Sequence, residues 1–188
     1  MNPAVTPKKP LLSLPRSSSR LPRLALVVGG IILLLMLFGV AKSLLSGGGS
    51  NTTALVSVAQ EQQLLKHLAS LGAKQQGTNT TTQTSSATIA ATIPSAQQQL
   101  LAYLKINKVA LKPVQLNARL NASLDTQLST AASSGDYDAT YKTVMQTTLN
   151  NYQRFLKQAY TQTKGKKGHA LLTADYDGAT LLVQQLGS

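Results

Sequence analysis

Eighteen consecutive residues, Leu24 to Ala41 (LALVVGGIILLLMLFGVA), carry no charge. As a helix they span about 27 Å, close to the ~30 Å hydrocarbon core of a bilayer. An amphipathic helix on a soluble domain turns polar residues to water along one face, and this run has none. Gly29 and Gly30 weaken a helix in water but are tolerated in lipid, where the backbone has no hydrogen-bond partner but itself. A single transmembrane helix over 24–41 is the expectation.

The flanks orient it. Lys8, Lys9, Arg16, Arg20 and Arg23 precede the run and Lys42 follows it, while all six acidic residues come later. Basic residues are retained on the cytoplasmic side, so the N-terminus is expected inside the cell and the rest of the chain outside it. The tail over 1–23 is rich in Pro and Ser and reads as disordered. A cleavable secretory leader is the rival reading, with Gly39-Val40-Ala41 as the cut site. The long segment before the apolar run favours an uncleaved signal-anchor of the plasma membrane. The lipid bilayer is thus the first expected partner. The net charge of +12 follows largely from this topology; no basic stripe interleaved with aromatics points to nucleic acid.

Residues 42–53, with SGGGSNTT at their end, read as a flexible Gly/Ser/Thr linker. Beyond it, 54–188 is expected to be one extracytoplasmic domain. Its helical periods run from Ala54 to Lys74, Ala87 to Asn107, Val114 to Ala132, about Tyr137 to Tyr160, and His169 to Leu186. The stretch GTNTTTQTSS after Lys74 reads as a polar loop. Pro94 either kinks the second helix or opens its main part. Leu116, Leu120, Leu124 and Leu128 mark the third helix, and Gly165-Lys166-Lys167-Gly168 reads as a turn.

The fourth helix has the sharpest pattern. At 100° per residue, Tyr137, Tyr141, Val144, Met145, Leu149, Tyr152, Phe155, Leu156, Ala159 and Tyr160 fall within an arc of about 160°. Tyr137, Tyr141, Tyr152, Phe155 and Tyr160 are therefore candidates for an aromatic stripe in a bundle core. Strand signals are nearly absent. The fold class expected is all-α: an anchor followed by an antiparallel bundle of about four helices.

The stretch Leu128 to Ala159 joins a leucine-bearing helix, Gly135, the pair Tyr137-Asp138, and Tyr141 on a long helix. It resembles the secreted, ferritin-like four-helix-bundle proteins of bacteria. That resemblance implies the bundle fold and an extracytoplasmic address. In that family a histidine commonly stands eight residues after the matching tyrosine; here the position is Leu149, so no metal role carries over.

Chemistry-bearing constellations are sparse. With no cysteine, thiolate catalysis, thiolate metal sites and disulfides are excluded. A di-iron bundle needs inward Glu residues and Glu-x-x-His pairs, yet Glu61 is the sole glutamate. His67 lies six residues on, about 240° around the helix. Zinc held by His67 and His169 with Asp175 or Asp177 is the only metal set to weigh. Asp136/Asp138 and Asp175/Asp177 read as helix-start and surface acids, and Gly47-Gly48-Gly49 lacks the Lys-Ser/Thr of a phosphate loop. The sequence thus assigns no catalytic residue, cofactor or metal, and points to a non-enzymatic domain that binds an envelope or protein partner. A ligand- or metal-binding bundle with a redox or sensory task is the alternative. The basic loop Lys164, Lys166, Lys167 with His169 reads as a solvated turn, with anionic polymer or lipid as its other possible contact.

Overall fold

A computed structural model describes residues 50–187. Its elements are α1 (Ser50–Lys74), α2 (Thr80–Ile106), α3 (Pro113–Leu116), a 3-10 turn (Asn117–Arg119), α4 (Ala122–Ser134), α5 (Tyr137–Gln162) and α6 (Lys166–Gly187), with no strand among the described residues. The all-α expectation holds for this part of the chain. Among the described residues no helix is long and apolar enough to cross a membrane. The tail over 1–23, the apolar run over 24–41, the linker residues 42–49, and the flanking Lys8, Lys9, Arg16, Arg20, Arg23 and Lys42 lie outside them.

Several expected boundaries need correction. The last four residues of the linker, 50–53, already belong to α1. The Thr-rich stretch is mostly helix, because Asn79 caps it through an Oδ1 that accepts from Thr82 N at 2.8 Å. The hydroxyls of Ser85, Ser86, Thr88 and Thr92 then donate to carbonyls four residues back, so the helix itself satisfies them. Thr82, Ser85, Ser86, Ile89, Ile93, Gln97, Leu100 and Leu104 are its buried side chains, spaced at helical period. Pro94 sits inside α2, which continues through it.

The third helix is split. Leu120 is extended (φ −68°, ψ 127°), and Asn121 caps a fresh helix by accepting from Ser123 N. Gly135 ends α4 in the left-handed region (φ 79°), a backbone state glycine adopts without penalty. The Gly165–Gly168 turn is shorter than expected, since Lys166 already opens α6.

Cross-helix pairs fix the directions. Gln97 Nε2 donates to Ala59 O (3.3 Å), and Ser86 lies beside Gly72, so α1 and α2 are antiparallel. Gln62 with Tyr152, and Gly72 beside Tyr141, make α1 and α5 antiparallel. Gln153 with Thr180 and Tyr160 with His169 do the same for α5 and α6, as do Gln185 with Thr88 and Gly168 beside Tyr103 for α6 and α2. The four long helices therefore run up, down, down and up. Residues 107–136 form one long crossover connecting α2 to α5. That crossover passes over α1, which also packs on α2 and α5, so Ala54 to Gln62 are buried without interruption.

At Gly72 three helices, α1, α2 and α5, approach closely. A Cβ there would crowd Ser86 Oγ and lie 2.7 Å from the Cζ and the hydroxyl of Tyr141, which themselves share a 2.9 Å hydrogen bond. The helix gains about 1 kcal/mol from Gly→Ala on propensity, but overpacking costs about 1–3 kcal/mol. Gly72→Ala should therefore lower stability, whereas Gly178→Ala, with nothing within 4 Å, should raise it by about 0.5–1 kcal/mol. Denaturant unfolding of the two variants side by side checks the difference in sign.

Candidate functional site

α1 places a carboxylate at a core position. Val58, Glu61, Leu65 and Leu68 share one helical face, and Glu61 is 1% exposed. It meets Arg119, delivered by the crossover's 3-10 turn, with Nη1 3.2 Å from Oε2. The ion pair lacks the geometry of a full hydrogen bond: Glu61 Oε2 and Arg119 Nε have no hydrogen-bond partner among the described residues. Burial pushes the Glu61 carboxyl up to about 7, against the opposing pull of Arg119 and then Arg154. Burial likewise lowers the Arg119 guanidinium from its usual value, partly offset by Glu61. The guanidiniums of Arg119 and Arg154 lie over the Phe155 ring at 4.3 and 4.7 Å from its centre.

One residue along, Gln62 points elsewhere. Its Nε2 donates to the Tyr152 hydroxyl (2.8 Å) and to Asp175 Oδ2 (3.1 Å), while its Oε1 is buried without a partner. Burial raises the Asp175 carboxyl to about 6, against hydrogen bonding from Tyr152 and Gln62. Burial also raises the Tyr152 hydroxyl, and Asp175 adds to it. Glu61 and Gln62 are adjacent, and Tyr152 and Phe155 are one turn apart. Together they form a polar seam between α1, the crossover, α5 and α6. Gln60 closes its edge by donating to Gln115 O (2.8 Å).

The aromatic stripe divides. Tyr137, Tyr141 and Tyr152 are buried; Tyr137 and Tyr141 stack at 5.7 Å. Burial raises both hydroxyls to about 12, with Asp138 contributing at Tyr137 and the Ser86 hydrogen bond opposing at Tyr141. Phe155 is half-buried under its two arginines. Tyr160 is not a core residue: it is 43% exposed and stacks on His169 at 4.2 Å. It lies at the edge of the apolar arc, in the last turn of α5, where its ring meets His169 of α6 at the rim of the bundle instead of entering the core.

The two histidines do not meet. His67 Nε2 pairs with Asp125 Oδ1 at 2.7 Å, tying α4 to α1, and His169 Nε2 contacts Thr163 O at 2.8 Å. Neither approaches Asp175, and no cluster of three metal-ligating side chains occurs among the described residues. Asp175 is a seam residue and not the surface acid expected from sequence.

Arg119 escaped the sequence reading altogether, because its partner lies 58 residues away. Glu61 carried a signal: it is the chain's sole glutamate and falls in the apolar register of α1. Compared with protein-family models, with curated proteins and with solved structures, the chain gives no match.

Proposed function

We propose that the chain is a single-pass membrane protein holding a non-enzymatic helical bundle outside the cell, where it binds a partner or serves the envelope structurally. The observation that carries this reading is the uncharged run Leu24–Ala41 with five cationic residues before it and one just after. The bundle adds support, because its interior carboxylates are engaged in structural pairs: Glu61 with Arg119, and Asp175 with Gln62. A cavity beside Asn79 and Asp138 measures about 90 Å³ and one beside Tyr103 and Ile106 about 230 Å³, each smaller than the ~300 Å³ at which small-molecule sites begin.

The up-down-down-up order with one long crossover favours a second reading, a ferritin-like ligand- or metal-binding bundle, since that connectivity is the one ferritin-like proteins use. Fractionation and elemental analysis separate the two. On the first reading the chain stays in the membrane pellet through an alkaline carbonate wash, and protease added outside spheroplasts removes the bundle but spares the N-terminal tail. Recovery of the full-length chain from the soluble fraction overturns the anchor. Stoichiometric metal in the purified chain replaces the first reading with the second.

A further inference from the structure

Antiparallel packing sorts the exposed lysines by height along the bundle. Because Gln97 is level with Ala59 and Tyr152 with Gln62, the start of α1, the end of α2 and the α5–α6 turn share one end. Lys105 and Lys108 from the end of α2, and Lys164, Lys166 and Lys167 from the turn, are all exposed there. The acidic residues lie elsewhere. Glu61, Asp125, Asp175 and Asp177 are at mid-height, and Asp138 joins Asn79 N at the opposite end beside Asp136.

Helix electrostatics accounts for part of this set only. Lys105 and Lys164 complement the negative C-terminal ends of α2 and α5. Lys166 and Lys167 occupy the first turn of α6, which contains no acid and where the helix dipole disfavours cations. An anion is what stabilises two positive charges at a helix start. Thr163, just before that turn, is 7% exposed, and its Oγ1 has no hydrogen-bond partner. Beside the lysines, a 230 Å³ groove between α2 and α6 is lined by Tyr103, Ile106, Lys167 and Leu171, and Ile106 stands 67% exposed at its rim. An apolar rim set among cations is the composition that beds into the interface of an anionic bilayer.

We propose that this end of the bundle docks on anionic phospholipid, with the five lysines on headgroup phosphates and Ile106 among the acyl chains. Connectivity selects the occupant: α1 begins at this end, and Lys42 to Gly49, spanning at most about 28 Å, join it to the apolar run. The choice of surface rests on the anchor proposed above.

The absence of cysteine makes a clean probe possible. The full-length Ile106→Cys chain, carrying an environment-sensitive fluorophore, is reconstituted with phosphatidylcholine vesicles, with or without phosphatidylglycerol, that contain a spin-labelled lipid quencher. Leu181→Cys, also exposed and about 22 Å along α6 from its start, is the control. Flotation with phosphatidylcholine alone tests the anchor; the fluorophore tests docking. Docking predicts a blue shift and quenching at position 106 only when phosphatidylglycerol is present, with little change at 181. Each lysine near an anionic surface strengthens contact about five-fold, so Lys166→Gln/Lys167→Gln should weaken the docked population roughly 25-fold. High salt should do likewise. A chain that floats but shows the same signal in both lipids, or keeps it after the double replacement, overturns docking and leaves the anchor standing. A chain that floats only with phosphatidylglycerol, in a lysine-dependent way, overturns the anchor and keeps docking. One that floats with neither overturns both.

Discussion

Replacing Arg119 by alanine should lower the stability of the bundle by about 3 kcal/mol at pH 8, the lower end of the cost of halving a buried ion pair. Glu61 is 1% exposed and would lose its nearest cation. The cost stays at that lower end because the carboxyl can take up a proton instead of remaining charged, and because Arg154 still acts on it. The same replacement removes a guanidinium resting 4.3 Å from the centre of the Phe155 ring, a packing loss that does not depend on pH. The penalty should therefore shrink at pH 5 without vanishing. Glu61→Leu/Arg119→Met should be at least as stable as the natural chain, since apolar isosteres remove two desolvation penalties together. Denaturant midpoints for the single and double variants at both pH values check this. Hydrogen exchange adds a spatial test: the amides of 115–121 should open first, because Arg119 and the Gln60–Gln115 bond pin that turn to α1. A silent Arg119→Ala at pH 8 sinks the argument.

How much of this was legible depended on whether the determining contacts were local. α5 could be read from its own residues, since a single stripe of apolar side chains at helical spacing has few alternatives, and Gly135 supplied its boundary. The stretch from Thr80 to Ser86 was opaque because hydropathy counts a hydroxyl as polar even when it bonds back to its own helix. The leucines at 116, 120, 124 and 128 suggested one helix, yet Asn117 and Asn121 offered local turns and caps that a count of leucines ignores. The seam was half visible: a lone glutamate in an apolar register is a warning, but nothing in α1 announces Arg119 or Asp175 as its neighbours. Such pairings arise from the path of the crossover and the order of the helices, which single-helix periodicity does not encode. Tyr160 failed for a related reason, because an arc describes a helix face while burial depends on what covers that face at each height.

Stability of the natural chain should fall as pH rises from about 4.5 to about 7, contrary to the usual behaviour of paired surface carboxylates. In the folded chain burial holds the Glu61 carboxyl near 7 against an ordinary 4.5, and the Asp175 carboxyl near 6 against 3.8. Between each ordinary value and each raised one, the folded state keeps a proton that the unfolded state has released. Unfolding then releases protons, so raising the pH favours it until the folded carboxyl has ionised as well. At about 1.4 kcal/mol per pH unit, Glu61 contributes a loss of about 3 kcal/mol across its window. Asp175 adds about 2 kcal/mol, reduced because water reaches part of its side chain. Glu61→Gln, a neutral shape mimic, should lie within about 1 kcal/mol of the natural chain near pH 5 and exceed it by about 3 kcal/mol at pH 8. Asp175→Asn should flatten what slope remains. Unfolding free energies measured in steps from pH 4.5 to 8 decide it: a natural chain that gains stability over that interval, or a Glu61→Gln chain with an unchanged slope, would show that Glu61 is not held protonated by its burial against the crossover.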